Sequence, residues 1–296
     1  MTQRRQTSRF PAFLIALGVV VALIVAGYLG WQRFKPPEEL AATAPVETPA
    51  VQPTPISPEA PPAPSPPAIE HPVETPVAEE GAEKQTPLPA LADAGADAFV
   101  TERLTELLTR RNVLTFLQLD GFVRRAVATV DNLARAQAPV MVWPVNPTPQ
   151  RFSTQRSAGG TEETIHPDNA KRYAPFVTLI ESVDTAKAVA LYRRLYPLFQ
   201  QAYEELGFPG RYFNDRLVQV LDHLIATPVR NEPLAVTLVE VKGEVPSTRP
   251  WVRYEFADPA LEDLSAGQKI LLRIGPENHR RLQAKLVDIR GRVARR

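Results

Sequence analysis

The chain has 296 residues, of which 31 are proline and 14 glycine; proline is at about twice its usual share, which an ordinary globular domain does not carry throughout. The formal charge of +1 hides a segregation: residues 1–35 hold five basic groups and no acid, residues 36–91 hold nine glutamates and one lysine, and the remainder is net +4. The absence of cysteine excludes disulfide frameworks, thiol nucleophiles, cysteine-ligated zinc and cysteine-attached lipids.

Residues 12–30 form an uncharged run of 19 residues, which as a helix nearly spans a hydrocarbon core of about 30 Å. Phe10 and Trp31 extend it to both interfaces, so a transmembrane helix is predicted over residues 10–31. A cleaved signal peptide competes with this reading, but its apolar part is shorter, and the small-residue site Ala42-Thr43-Ala44 lies far downstream. Arg4, Arg5 and Arg9 precede the run and Arg33 and Lys35 follow it, which places residues 1–9 in the cytoplasm and everything after Trp31 outside. Gly18, Ala22 and Ala26 could pair two such helices, although this spacing is common in simple anchors.

Residues 32–91 read as a disordered, proline-rich linker: 16 prolines fall between Pro36 and Pro89, and residues 36–91 contain no aromatic residue. Fully extended as polyproline II, those 56 residues would reach roughly 170 Å. On this reading the linker adds nothing to a core, and a fragment beginning near Ala92 folds alone. Its P-x-x-P spacings are the kind that occur by chance in so proline-rich a tract.

From Ala92 to Arg296 the composition is globular, and a mostly α-helical domain is predicted with a short two-stranded β element. Phe99 to Leu117 is helical with a break near Asn112, and Asp120-Gly121 separates it from a helix over 122–136. Residues 139–166, with four prolines and two glycines, read as a surface excursion anchored by Trp143 and Phe152. A helix follows Pro167, and another begins at Asp184 or Thr185, with Tyr192, Tyr196, Phe199 and Tyr203 in one stripe, a kink at Pro197 and a left-handed end at Gly207. Residues 212–227 form a helix capped by Asn214, with Leu217, Val218, Leu221, Leu224 and Ile225 on its buried face. Residues 234–241 and 251–256 alternate like strands, and Asp258-Pro259 and Gly275-Pro276 open the last helices.

Metalloprotease, serine-hydrolase, dinucleotide-binding and P-loop motifs are missing from the sequence, and its four histidines are scattered, so neither a cofactor nor a metal site is expected. The polar residues left as candidate binding residues are Asp215 and Asp222, seven apart on one helix, together with Tyr192, Tyr254 and Glu255. Paired carboxylates can do acid–base work or hold a cation, and they also serve as partners for arginines of neighbouring helices. Nine basic and two acidic residues between Lys269 and Arg296 suit an anionic partner or a solvated helix end, whereas nucleic acid is not expected outside the cytoplasm.

RRAVATVDNLA (124–134), Trp143-Pro144-Val145, ALYRRLYPLFQQAYEELGFP (190–209), YFNDRLVQVLDHLIATP (212–228) and YEFADPALEDLSAGQKILLRIGPEN (254–278) resemble bacterial domain-of-unknown-function family 3014 over most of residues 99–290. The resemblance implies a single membrane helix, a proline-rich linker and a helical domain, and it implies no activity. The expectation is a non-catalytic protein of the bacterial inner membrane that presents a helical binding or scaffold domain, on the extracytoplasmic or periplasmic side, to an envelope protein or cell-wall partner. The alternative is an enzyme of unfamiliar type with an acidic, tyrosine-rich site. An enzyme would bring several of the five candidates together with free polar ends, and a binding module would show them paired.

Overall fold

The structure, a computed structural model, describes residues 68–74, 87–156, 160–240 and 248–294. All of them belong to one compact unit, Ala63–Arg296. The predicted cytoplasmic terminus, the span over 10–31 and the linker up to residue 67 lie outside the described residues, as does the loop holding Gly243 and Pro246. Among the described residues no helix is long and apolar enough to cross a membrane.

The domain is mostly helical. Its helices are α1 (Ala96–Leu108), α2 (Arg110–Phe116), α3 (Phe122–Leu133), α4 (Asn169–Ser182), α5 (Thr185–Glu205), α6 (Phe213–Ile225), α7 (Pro259–Glu262), α8 (Ala266–Arg273) and α9 (Pro276–Val293). The break in the first helical stretch falls at Thr109, at φ 72°, three residues earlier than predicted. Gly121 takes the left-handed φ of 60° needed to start α3, and Gly207 takes φ 110° after α5. Helix α5 runs through Pro197 without interruption.

Helix α6 lies at the centre, packed against α3, α5 and α9. It is buried on more than the predicted stripe: Val220 is as inaccessible as Val218, because α6 separates two apolar clusters. The largest cluster joins α1, α3, α5 and the start of α6 through Val100, Val123, Val127, Leu195, Leu198 and Phe213. Gly267 marks the closest approach of α8: a Cβ there would lie 2.5 Å from Leu224 Cδ2 and 2.8 Å from the Leu133 carbonyl.

The sheet has four strands rather than two: β1 (Thr154–Arg156), β2 (Glu163–Ile165), β3 (Ala235–Leu238) and β4 (Tyr254–Phe256), antiparallel in the order β1-β2-β3-β4. Val236 pairs with both Glu163 and Phe256, and Phe256 and Val236 bury one face against Leu272 of α8. The two unforeseen strands are three residues each, Thr-Gln-Arg and Glu-Thr-Ile, with no apolar alternation, and exist by pairing, β2 along the edge of β3 and β1 along β2.

The expectation that the linker adds nothing to the core is corrected at two places. Leu91 is a core residue, 6% exposed, and Leu88 and Val73 pack on the same cluster. Residues 68–74, hereafter the strap, are bonded to the domain at the start of α6.

Candidate functional site

The turn between α5 and α6, with Gly207 and Gly210 at positive φ, lays the first turn of α6 beside the middle of α5. Gln200 of α5 fixes the junction, its Oε1 accepting from the Phe213 amide at 2.9 Å and from the Tyr196 hydroxyl at 3.0 Å. The ring of Tyr196 meets Tyr192 edge-on at 5.7 Å and Tyr212 at 5.2 Å. These three tyrosines and the first turn of α6 wall a polar notch.

Asn214 is its hub. The residue is wholly inaccessible, and both of its amide hydrogens and its oxygen are engaged: Oδ1 accepts from the Tyr192 hydroxyl at 3.0 Å, while Nδ2 donates to the carbonyls of His71 at 2.8 Å and Val293 at 3.0 Å. One side chain thus joins α5, the strap and the C-terminal end of α9. Asn214 is not the cap the sequence suggested; Tyr212 is the N-cap residue, and Asn214 lies within the helix.

Asp215 grips the strap from the same turn. Its Oδ1 accepts from the His71 amide at 2.7 Å and its Oδ2 from the Glu70 amide at 3.1 Å, a negative charge placed where the helix N-terminus favours one. The Tyr212 hydroxyl accepts from the Val73 amide at 2.8 Å. Every one of these contacts is to strap main chain. Burial pushes the Tyr192 and Tyr196 hydroxyls well above the ordinary phenol value, so both remain protonated donors at physiological pH.

The five candidates fall in three places. Tyr192 and Asp215 meet at the notch. Asp222, six residues past Arg216 on α6, forms a two-pronged pair with Arg290 of α9 at 2.8 and 3.0 Å, with both side chains 40–50% exposed. Tyr254 lies on β4, its ring 5.5 Å from Phe152 and its carbonyl accepting from Arg273 at 3.0 Å, and Glu255 beside it is exposed. Sequence reasoning missed Tyr212, the role of Asn214, and the strap. The signals available were a tyrosine stripe aimed at the start of α6 and, in a tract of proline, alanine and glutamate, the local apolar pair Ile69 and Val73.

Other polar groups serve the fold. Asp131 of α3, 4% exposed, accepts from Arg216 Nε at 2.9 Å and from Arg135 at 2.6 Å, tying α3 to α6. His223 shares a hydrogen bond of 2.9 Å with Ser265, whose hydroxyl caps α8. His279 is 1% exposed, and burial first, then the neighbouring Arg280, holds its pKa below the ordinary histidine value. The basic C-terminal segment is an ordered helix to Val293, with Arg281 paired to Glu181, Arg290 to Asp222 and Arg292 to Asp288. A shallow groove of about 590 Å³ between α2 and α4, lined by Asn112, Phe116, Lys171 and Pro175 among others, holds none of the five candidates. Among the described residues no three histidine or acidic side chains gather where they could hold a metal ion.

Chemically, the notch is complementary to a peptide backbone: acceptors face two successive amides and a third two residues on, and a buried amide faces a carbonyl. Fold and site together define a helical domain with a small antiparallel sheet and a polar notch that holds a short, bent polypeptide segment. Residues 122–290 match the family described as protein of unknown function (DUF3014), and the chain belongs to that family. The match takes in Tyr192, Tyr212, Asn214 and Asp215, begins later than residue 99, and leaves the strap outside it. No curated protein and no solved structure matches the chain.

Proposed function

We propose that the protein is a non-catalytic scaffold of the bacterial inner membrane. Residues 10–31 anchor it with the N-terminus in the cytoplasm, a proline-rich tether follows, and the helical domain is presented on the extracytoplasmic side to an envelope or cell-wall partner. One observation supports a binding module over an enzyme: the best-formed polar site grips polypeptide main chain, and both oxygens of its carboxylate are engaged in doing so. Hydropathy and the distribution of arginines support the anchorage.

Fractionation tests the anchorage, and reporter fusions test the orientation. The full chain should stay with the membrane through an alkaline carbonate wash, and a reporter active only in the cytoplasm should be silent when fused at the C-terminus. Release by the wash, or an active reporter, overturns the reading.

A further inference from the structure

We propose that the notch walled by Tyr192, Tyr196 and Tyr212 is a receptor for a short, bent, proline-containing peptide segment of a partner protein, and that residues 68–74 are its resident competitor. The proposal deepens the reading of a binding domain and rests on it. Three observations carry it.

The first is what the notch recognises. Asp215 accepts from the amides of Glu70 and His71, Tyr212 accepts from that of Val73, and Asn214 donates to the His71 carbonyl. None of these contacts involves a strap side chain, so the site reads the course of a backbone that bends to aim two successive amides at one carboxylate, and any segment that can present the same amides satisfies it. Ile69 stays 54% exposed, which leaves Val73 as the apolar anchor.

The second is that the receptor is built before the strap arrives. Tyr192 to Asn214 at 3.0 Å, Asn214 to the Val293 carbonyl at 3.0 Å, and Gln200 to Tyr196 and to the Phe213 amide are contacts within the domain, and they hold Asn214 and the first turn of α6 in place. Such preorganisation lowers the cost of binding.

The third is the chemistry of the occupant. Pro72 lies within the strap, and Pro66, Pro67 and Pro76 flank it, so the segment has fewer backbone conformations open to it and gives up less freedom on docking than a proline-free one. Four main-chain bonds and the packing of Val73 are set against the larger cost of ordering seven residues, so the strap is held weakly. Covalent tethering raises the local concentration of the strap and keeps the notch filled, while leaving it exchangeable. Among the described residues the buried imidazole Nδ1 of His71 has no hydrogen-bond partner.

The test uses the full chain and a fluorescein-labelled synthetic peptide spanning residues 66–76. In one variant residues 68–74 are replaced by a glycine–serine stretch of equal length, and a melting curve verifies that it is folded. The peptide should bind this variant, bind the wild-type chain about tenfold or more weakly because the strap competes, and fail to bind when Asp215→Ala is added. Absence of binding to the folded variant, or binding that survives Asp215→Ala, overturns the proposal. If the replacement does not fold, excess unlabelled peptide is added to the wild type and hydrogen exchange is followed at His71 and Val73. Faster exchange supports displacement, and unchanged exchange refutes it. Self-association of the wild type that Asp215→Ala abolishes would make the occupant the strap of a second copy and would also overturn the proposal. The fractionation result is independent of all these outcomes, so failure here leaves the anchorage reading standing.

Discussion

Replacing Asn214 by alanine should be the most damaging single change at the notch. The side chain is fully buried and makes three hydrogen bonds, to the Tyr192 hydroxyl and to the carbonyls of His71 and Val293. Each bond contributes about 1 kcal/mol net, and a buried group left without its partner costs about 1–3 kcal/mol more. The His71 carbonyl can return to water when the strap lifts, whereas Tyr192 and the Val293 carbonyl stay against the domain. The expected loss is therefore about 3–5 kcal/mol, which for a domain of roughly 200 residues lowers the melting temperature by about 10 °C or more. Asn214→Asp keeps the shape but turns a carboxylate toward two carbonyl oxygens, so it should be no milder. Urea unfolding followed by circular dichroism measures both. A loss below about 1 kcal/mol for Asn214→Ala would show that the hub does not join α5, α9 and the strap, and the reasoning would fall.

Three further outcomes follow from the packing and the ion pairs. A fragment beginning at Ala92 should be less stable than one beginning at Ala63 by about 2–4 kcal/mol, because it lacks the buried Leu91 and the contacts of Leu88 and Val73; equal urea midpoints would contradict this. Asp131→Ala strands Arg216, which is only 20% exposed, and should cost about 3–5 kcal/mol, whereas Asp222→Ala breaks an exposed pair and should cost under about 1 kcal/mol; the reverse order would refute the assignment of buried and surface pairs. Burial and the neighbouring Arg280 lower the His279 pKa in the fold, so as pH falls below the unfolded value of about 6.5 the unfolded chain binds the proton first and stability falls, by up to about 1.4 kcal/mol per pH unit until the lower folded pKa is passed. His279→Phe should flatten that slope between pH 6.5 and 5.5, and identical slopes in variant and wild type would show that His279 titrates normally.

The helices were legible because each carries its own signal: α6 has an apolar stripe, α5 its aromatic ladder, and Gly121, Gly207 and Pro276 sit at helix ends where their backbone preferences fit. Strands β1 and β2 were not, since three-residue strands without apolar alternation owe their existence to the partner they pair with. The site was half legible. Tyr192 and Asp215 stood out as a tyrosine on a stripe and an acid on a helix, but the group that connects them, Asn214, looks in sequence like any helix cap. The strap left almost no trace, because its bonds use backbone atoms that every residue possesses, and a proline-rich tract gives no periodicity from which a docked stretch of seven residues could be picked out.

The central claim is that this domain works by holding polypeptide main chain at the start of α6. Native-state hydrogen exchange at the amides of Glu70, His71 and Val73, compared in the wild type and Asp215→Ala, tests it most directly. The account predicts that these three amides are protected in the wild type and that protection at Glu70 and His71 collapses in Asp215→Ala while α1 and α3 keep theirs. Exchange at Glu70 and His71 as fast in the wild type as in an unstructured peptide, or protection there that Asp215→Ala leaves untouched, would contradict it.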